Sequence, residues 1–117
     1  MDRGRILILG KSKETTYEIR SLLDNQRFEL EIALSAEVGK SVLSTRHMHL
    51  IMVHTEMLSE PEREFVDFLK ERRDLVPMAI LGEQARQIGP KLALKSPFRC
   101  FDKPYVSDEV LSFIREL

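Results

Sequence analysis

Three short apolar runs constrain this chain more than any other feature: Ile6-Leu7-Ile8-Leu9, Leu50-Ile51-Met52-Val53 and Pro77-Met78-Ala79-Ile80-Leu81. Each is shorter than an ordinary helix, and none alternates with polar residues. Such runs suit strands buried on both faces, the environment of a parallel sheet. Each ends on an abrupt change of character, at Gly10-Lys11, at His54 and at Gly82-Glu83. A fourth segment differs. Phe28, Leu30 and Ile32 alternate with Glu29 and Glu31, the mark of a half-buried strand at a sheet edge. Arg99 to Asp102 reads as a fifth, short strand.

Helical patterns fill the intervals. Ser12 is a good N-cap before a helix with Ile19, Leu22 and Leu23 on one face, and Asn25-Gln26-Arg27 reads as its exit. Ser35 caps a second helix carrying Val38, Val42 and Leu43. Ser59 and Glu62 have capping-box spacing, with Pro61 in the first turn, ahead of Phe65, Phe68 and Leu69. Glu83 to Phe98 is the least regular stretch. A helix fits Gln84 to Ile88 or Lys91 to Leu94, and Gly89-Pro90 should break or kink anything running through both. Ser107 caps the last helix, with Val110, Leu111, Ile114 and Leu117 as its buried face.

Strands alternating with helices imply right-handed crossovers and a parallel sheet between two helix layers. The whole chain, 1–117, reads as one α/β domain, because 117 residues suffice for one core and not for two. In such sheets, ligands bind outside the carboxyl ends of the strands. That rule directs attention to Gly10-Lys11, His54, Gly82-Glu83 and Lys103.

Composition excludes several functions. Net charge is −1, and no helix is strongly basic, so nucleic-acid binding by this domain is not expected. No apolar run approaches the roughly 18 residues of a membrane span. The N-terminal run lacks the length and cleavage pattern of a signal peptide, so a cytoplasmic location is the expectation. The one cysteine, Cys100, can form no intrachain disulfide and reads as a small hydrophobe. His47, His49 and His54 do not make a metal site, since His49 and His54 stand roughly 16 Å apart along a strand. No nucleophile–base set, phosphate loop or carboxylate pair at the strand ends suggests an enzyme.

The order of these segments resembles the receiver domain of bacterial response regulators. The most specific piece is Phe101-Asp102-Lys103-Pro104-Tyr105, which matches that family's Lys-Pro followed by an aromatic. Arg5 to Leu9 with the helix ending Arg20-Ser21-Leu22-Leu23, His49 to Val53, and Pro77 to Leu81 are also receiver-like, and the similarity spans essentially the whole chain. The resemblance implies a flavodoxin-like three-layer sandwich with strand order 2-1-3-4-5, about five helices and a role in two-component or phosphorelay signalling.

It also implies an active site that this chain has lost. The family's two acidic residues after the first strand correspond to Gly10 and Lys11, and its phosphoryl-accepting aspartate to His54. Its Thr or Ser after the fourth strand corresponds to Gly82, and its switch aromatic to Cys100; only the lysine is kept, as Lys103. Magnesium wants oxygen ligands, which Gly10 and Lys11 do not supply, so magnesium binding and any other cofactor are expected to be absent. The expected function is that of a phosphorylation-independent pseudo-receiver, binding a signalling protein or itself. The alternative is a sensor in which Lys11, His54 and Lys103 form a basic cleft for a small anion. The bland reading of those lysines is pairing with Glu56, Glu83 or Asp102. Gly89-Pro90 and Cys100 together imply an altered output face.

Overall fold

In the computed structural model, which describes residues 4–23 and 28–117, five strands form one parallel sheet in the order β2-β1-β3-β4-β5. The strands are β1 (Gly4–Leu9), β2 (Phe28–Ala33), β3 (Leu50–His54), β4 (Met78–Gly82) and β5 (Phe98–Asp102). The helices are α1 (Lys13–Ser21), α2 (Ala36–Thr45), α3 (Arg63–Glu71), α4 (Ala85–Lys91) and α5 (Ser107–Arg115). The architecture is thus the flavodoxin-like sandwich with order 2-1-3-4-5. The exit at Asn25-Gln26-Arg27 lies outside the described residues.

The three apolar runs are the three inner strands. Ile8 pairs in register with Met52 and, on the other side, with Ile32; Val53 pairs with Ile80. Their alternating side chains feed two cores. Leu7, Leu9, Ile51, Val53 and Ile80 pack on α2, α3 and α4 through Leu43, Phe65, Leu69 and Ala85. Ile6, Ile8, Met52, Ala79 and Leu81 pack on α1 and α5 through Ile19, Val110 and Phe113. A continuous apolar run is required because both faces of each inner strand are covered. β2 is an edge strand, and Ile32 near its end is exposed.

Local expectations hold where the cap is local. Ser12 accepts from the backbone N–H of Thr15, and Ser35 from that of Val38. Elsewhere the structure corrects them. The Ser59–Glu62 capping box does not form: residues 55–58 and 60–62 are 3-10 turns, and α3 starts at Arg63 with no side-chain cap. Ser107 is the first residue of α5, after Val106, rather than its cap. Val38 and Leu117 are exposed, whereas Val66 and Phe113, absent from the expected faces, are buried. Leu22 and Leu23 lie past the end of α1, although Leu23 is still buried.

The largest correction concerns Gly89-Pro90. α4 runs through both as a single helix, with Pro90 inside it. Gly89 is buried, and a Cβ there would collide with Cys100 Sγ and lie 3.2 Å from Ile80 Cδ1. The glycine therefore serves close packing of helix on sheet. The N-terminus of α4 is satisfied from a distance: Arg86 N–H donates to Asp102 Oδ1 at 3.0 Å, where Gln84 holds a left-handed φ of 60°. The Lys103-Pro104 bond is cis.

Candidate functional site

The carboxyl ends of β1, β3, β4 and β5 bring Gly10-Lys11, His54, Gly82-Glu83 and Lys103 to one edge of the sheet. Gly10 carries no ligand and has no room for one. A Cβ there would stand 2.9 Å from Thr15 Cγ2 and 3.1 Å from Thr16 Cγ2, because α1 is held close by its own first turn. Lys11 is fastened twice. Its backbone N–H donates to Glu56 Oε2 at 2.7 Å, and its Nζ lies 3.4 Å from Glu62 Oε1. These bonds tie the loop after β1 to the paired 3-10 turns after β3.

His54 is mostly buried and anchors those turns. Its Nδ1 accepts the backbone N–H of Glu56 at 3.1 Å, and the Glu56 carboxylate lies 3.6 Å from the same nitrogen. The two contacts ask for opposite protonation states: the backbone bond needs a lone pair, an ion pair needs a proton. Burial is the largest influence on the ring and lowers its pKa below the ordinary histidine value. Glu56 opposes this and Lys103 reinforces it. The backbone bond therefore prevails: the imidazole is neutral, with its proton on Nε2.

Gly82 closes the arrangement. Its φ is +137°, in a region L side chains rarely adopt. A Cβ there would collide with Thr55 Oγ1 and lie 3.1 Å from His54 Nε2. The space beside it is filled by a ring and a hydroxyl from β3 and its following turn. A threonine or serine at this position is thus excluded by backbone and space alike.

Lys103 pairs with Glu18 of α1, Nζ to Oε1 at 3.0 Å, and sits 5.9 Å from the centre of the Tyr105 ring. Both lysines are paired, but with Glu62 and Glu18; of the three anticipated partners only Glu56 takes part, through the Lys11 backbone. Asp102 is spent on α4, and Glu83 is exposed. The edge is consequently richer in carboxylate than in ammonium, with Glu18, Glu56, Glu62 and Glu83 facing Lys11, Lys103 and a neutral His54. Sequence reasoning missed Glu18 and Glu62. Both lie on neighbouring segments: nothing in the local pattern marks Glu18, and the pattern around Glu62 points to a helix cap rather than to Lys11. No group of three or more metal-ligating side chains occurs among the described residues.

Cys100 on β5 is half-buried against Gly89, and burial raises its thiol pKa. His49 Nδ1 accepts the Arg5 backbone N–H at 2.9 Å at the opposite end of the sheet, beside His47. Arg72 donates to the Leu43 carbonyl, pairs with Asp74 and covers the Phe68 ring, so it is engaged within the molecule. No helix among the described residues is long and apolar enough to cross a membrane.

No family model matches the chain, and no curated protein matches it in sequence. Solved structures do. The signal receiver domain of an HD domain-containing protein from Pseudomonas fluorescens Pf-5 superposes with a TM-score of 0.79 at 18% identity, covering 98% of this chain and 94% of that one. The chemotaxis response regulator CheY4 of Vibrio cholerae gives 0.75 at 15% identity, with 98% of both chains covered. The receiver domain of the Francisella response regulator 1452 gives 0.75 at 14% identity, covering 97% and 95%. The fold of this chain is the receiver fold.

Proposed function

We propose that this receiver-fold domain is a phosphorylation-independent pseudo-receiver, a protein–protein interaction module of two-component or phosphorelay signalling in the cytoplasm. One observation carries the reading. At the strand ends, protein groups engage the positions that the resemblance assigns to phosphoryl and metal chemistry: Glu56 is bound by the Lys11 backbone, Lys11 Nζ by Glu62, and the space at Gly82 is filled by His54 and Thr55. A hard divalent ion requires several oxygens in octahedral array. Gly10 has no side-chain oxygen, Lys11 repels a cation, and one of the two Glu56 oxygens, Oε2, already accepts the Lys11 backbone N–H. In this reading the residues at the strand ends do not fit magnesium. No nucleophile–base pair accompanies the neutral His54, so the reading is of a non-enzyme.

The partner surface in this reading is the face formed by α4, β5 and α5. A groove of about 450 Å³ there is lined by Arg86 and Arg99 on one side and Asp108 and Glu109 on the other. Opposite charges on opposite halves suit a two-fold pairing, in which α4 of one copy meets α5 of the next. The same split suits a partner with the complementary pattern.

Amide NMR spectra with and without magnesium and beryllofluoride test the central claim. Unchanged resonances around His54 and Lys103 are expected. A saturable, magnesium-dependent shift there would overturn the reading. Sedimentation at low and high salt tests self-association, which should weaken as salt screens the groove charges.

A further inference from the structure

The sheet ends at β2, and the described residues form no strand beyond it. The backbone of β2 sorts its residues by direction. Gly10 N–H donates to the Ala33 carbonyl, so Ala33 turns its backbone groups toward β1. On an extended strand the N–H and C=O of one residue point to one edge, and the next residue reverses them. Glu29 and Glu31 therefore also face β1, while Phe28, Leu30 and Ile32 direct their N–H and C=O groups outward. No partner for those groups occurs among the described residues. The same three residues carry apolar side chains. Ile32 pairs in register with Ile8, which packs on α1 and α5, so all three side chains lie on that face. Ile32 is 41% exposed, and Phe28 and Leu30 are only half-buried.

A free edge of this kind is a template for a further strand, and folded chains blunt it with proline, lysine, a bulge or a covering segment. β2 contains no proline, lysine or glycine, and it pairs residue for residue with β1, without a bulge. Its charges are Glu29 and Glu31, and both are neutralised within the chain. Arg5 of β1 lies 3.2 Å from Glu29, and Arg46 at the end of α2 lies 2.6 Å from Glu31.

We propose that β2 is a self-association edge, at which two copies of this chain join their sheets by antiparallel β2–β2 pairing across a two-fold axis at Leu30. This register sets Leu30 against Leu30 and Phe28 against Ile32 across the axis. Each such pair exchanges two hydrogen bonds through the outward backbone groups. An aromatic opposite a β-branched side chain is also a favourable cross-strand pair. Glu29 comes opposite Glu31, where two bare carboxylates would repel. Arg5 and Arg46 accompany them, so the row is neutral and self-complementary under the two-fold operation. A strand of 6 residues gives a seam smaller than the standard interface of roughly 1,600 Å², so the dimer is weak and forms at high concentration. The edge lies apart from the charged groove of α4 and α5, and its pairing does not depend on the phosphoryl-insensitive reading of the domain.

The test is sedimentation equilibrium of the whole chain from micromolar to millimolar concentration in high salt, where the groove charges are screened. Amide hydrogen exchange is measured at both ends of that range. A mass rising toward the dimer is expected. The Phe28, Leu30 and Ile32 amides should exchange more slowly in the concentrated sample, while those of Glu29 and Glu31, already bonded to β1, change little. Ile32→Pro removes an outward donor and an exposed side chain without touching the β1 ladder, and an edge strand tolerates proline there. Ile32→Lys, at the same exposed position, keeps the test intact if the proline disturbs the fold. Each substitution acts twice across the axis, so each should weaken association by about tenfold or more. A monomer throughout would overturn the proposal and leave the edge to a foreign strand. A dimer that survives both substitutions, or that leaves the three outward amides unprotected, would overturn it as well.

Discussion

Gly82, with φ at +137° and the His54 ring and Thr55 hydroxyl against it, shows how one residue can close a site. Strain at a positive φ costs on the order of 1–3 kcal/mol for a residue with a Cβ, and the collision with Thr55 adds to it. Gly82→Thr should therefore lower the unfolding free energy by about 2 kcal/mol or more, read from a urea transition, without creating a response to beryllofluoride. His54 makes a second prediction. Its folded pKa lies below the ordinary value of about 6.5, so the unfolded chain binds the proton more readily. Its contribution to stability is complete above pH about 6.5 and is lost as pH falls toward the folded value. Denaturant midpoints measured down from neutral pH should fall in that window. His54→Gln should flatten that part of the profile; an unchanged slope would show that another group is responsible. These roles were only half legible from sequence. That His54 and Gly82 stand at strand ends follows from the apolar runs before them. That His54 and Thr55 fill the space at Gly82 does not, because β3 and β4 become neighbours only in the sheet.

At the scale of the element, α4 is the instructive case. Helix propensity alone makes Gly89→Ala favourable by up to about 1 kcal/mol. Packing says the reverse, because the added methyl meets Cys100 Sγ on β5 and crowds Ile80 and Phe98. Overpacking typically costs about 1–3 kcal/mol, so the variant should be less stable than the parent. Cys100→Ala in the Gly89→Ala background should recover part of that loss, and a double-mutant cycle reads the coupling. The same element explains why Gly89-Pro90 misleads when read as a chain break. Glycine and proline are breakers of an isolated helix, but α4 is short, lies against β5 and takes its N-terminal partner from Asp102, sixteen positions away. The pattern of α5 errs in the same way at its end. Phe113, not Leu117, faces the sheet, where its ring meets Phe101 at 6.0 Å. Phe113→Ala should cost about 3–5 kcal/mol by thermal or denaturant unfolding, while Leu117→Ala should stay within about 0.5 kcal/mol of the parent.

For the molecule as a whole, the sheet separates two cores, one toward α2, α3 and α4 and the other toward α1 and α5. β1, β3 and β4 are hydrogen-bonded to a strand on each side, so their amides should exchange with solvent most slowly, at the free energy of global unfolding. The edge strands β2 and β5 should exchange faster in a native-state hydrogen-exchange series. The sequence by itself determined the class of architecture: three unbroken apolar runs suit strands covered on both faces, and the helical patterns between them imply parallel crossovers. It also determined which residues stand at the strand ends, since the boundary of an apolar run is a local property. The tertiary structure alone decided what those residues do. Lys11 meets Glu62, Lys103 meets Glu18, and Asp102 caps α4 because crossovers bring distant segments to one edge of the sheet. Charge pairing is set by distance in space, and the periodicity of a single chain carries no record of which side chain will lie across a cleft from which.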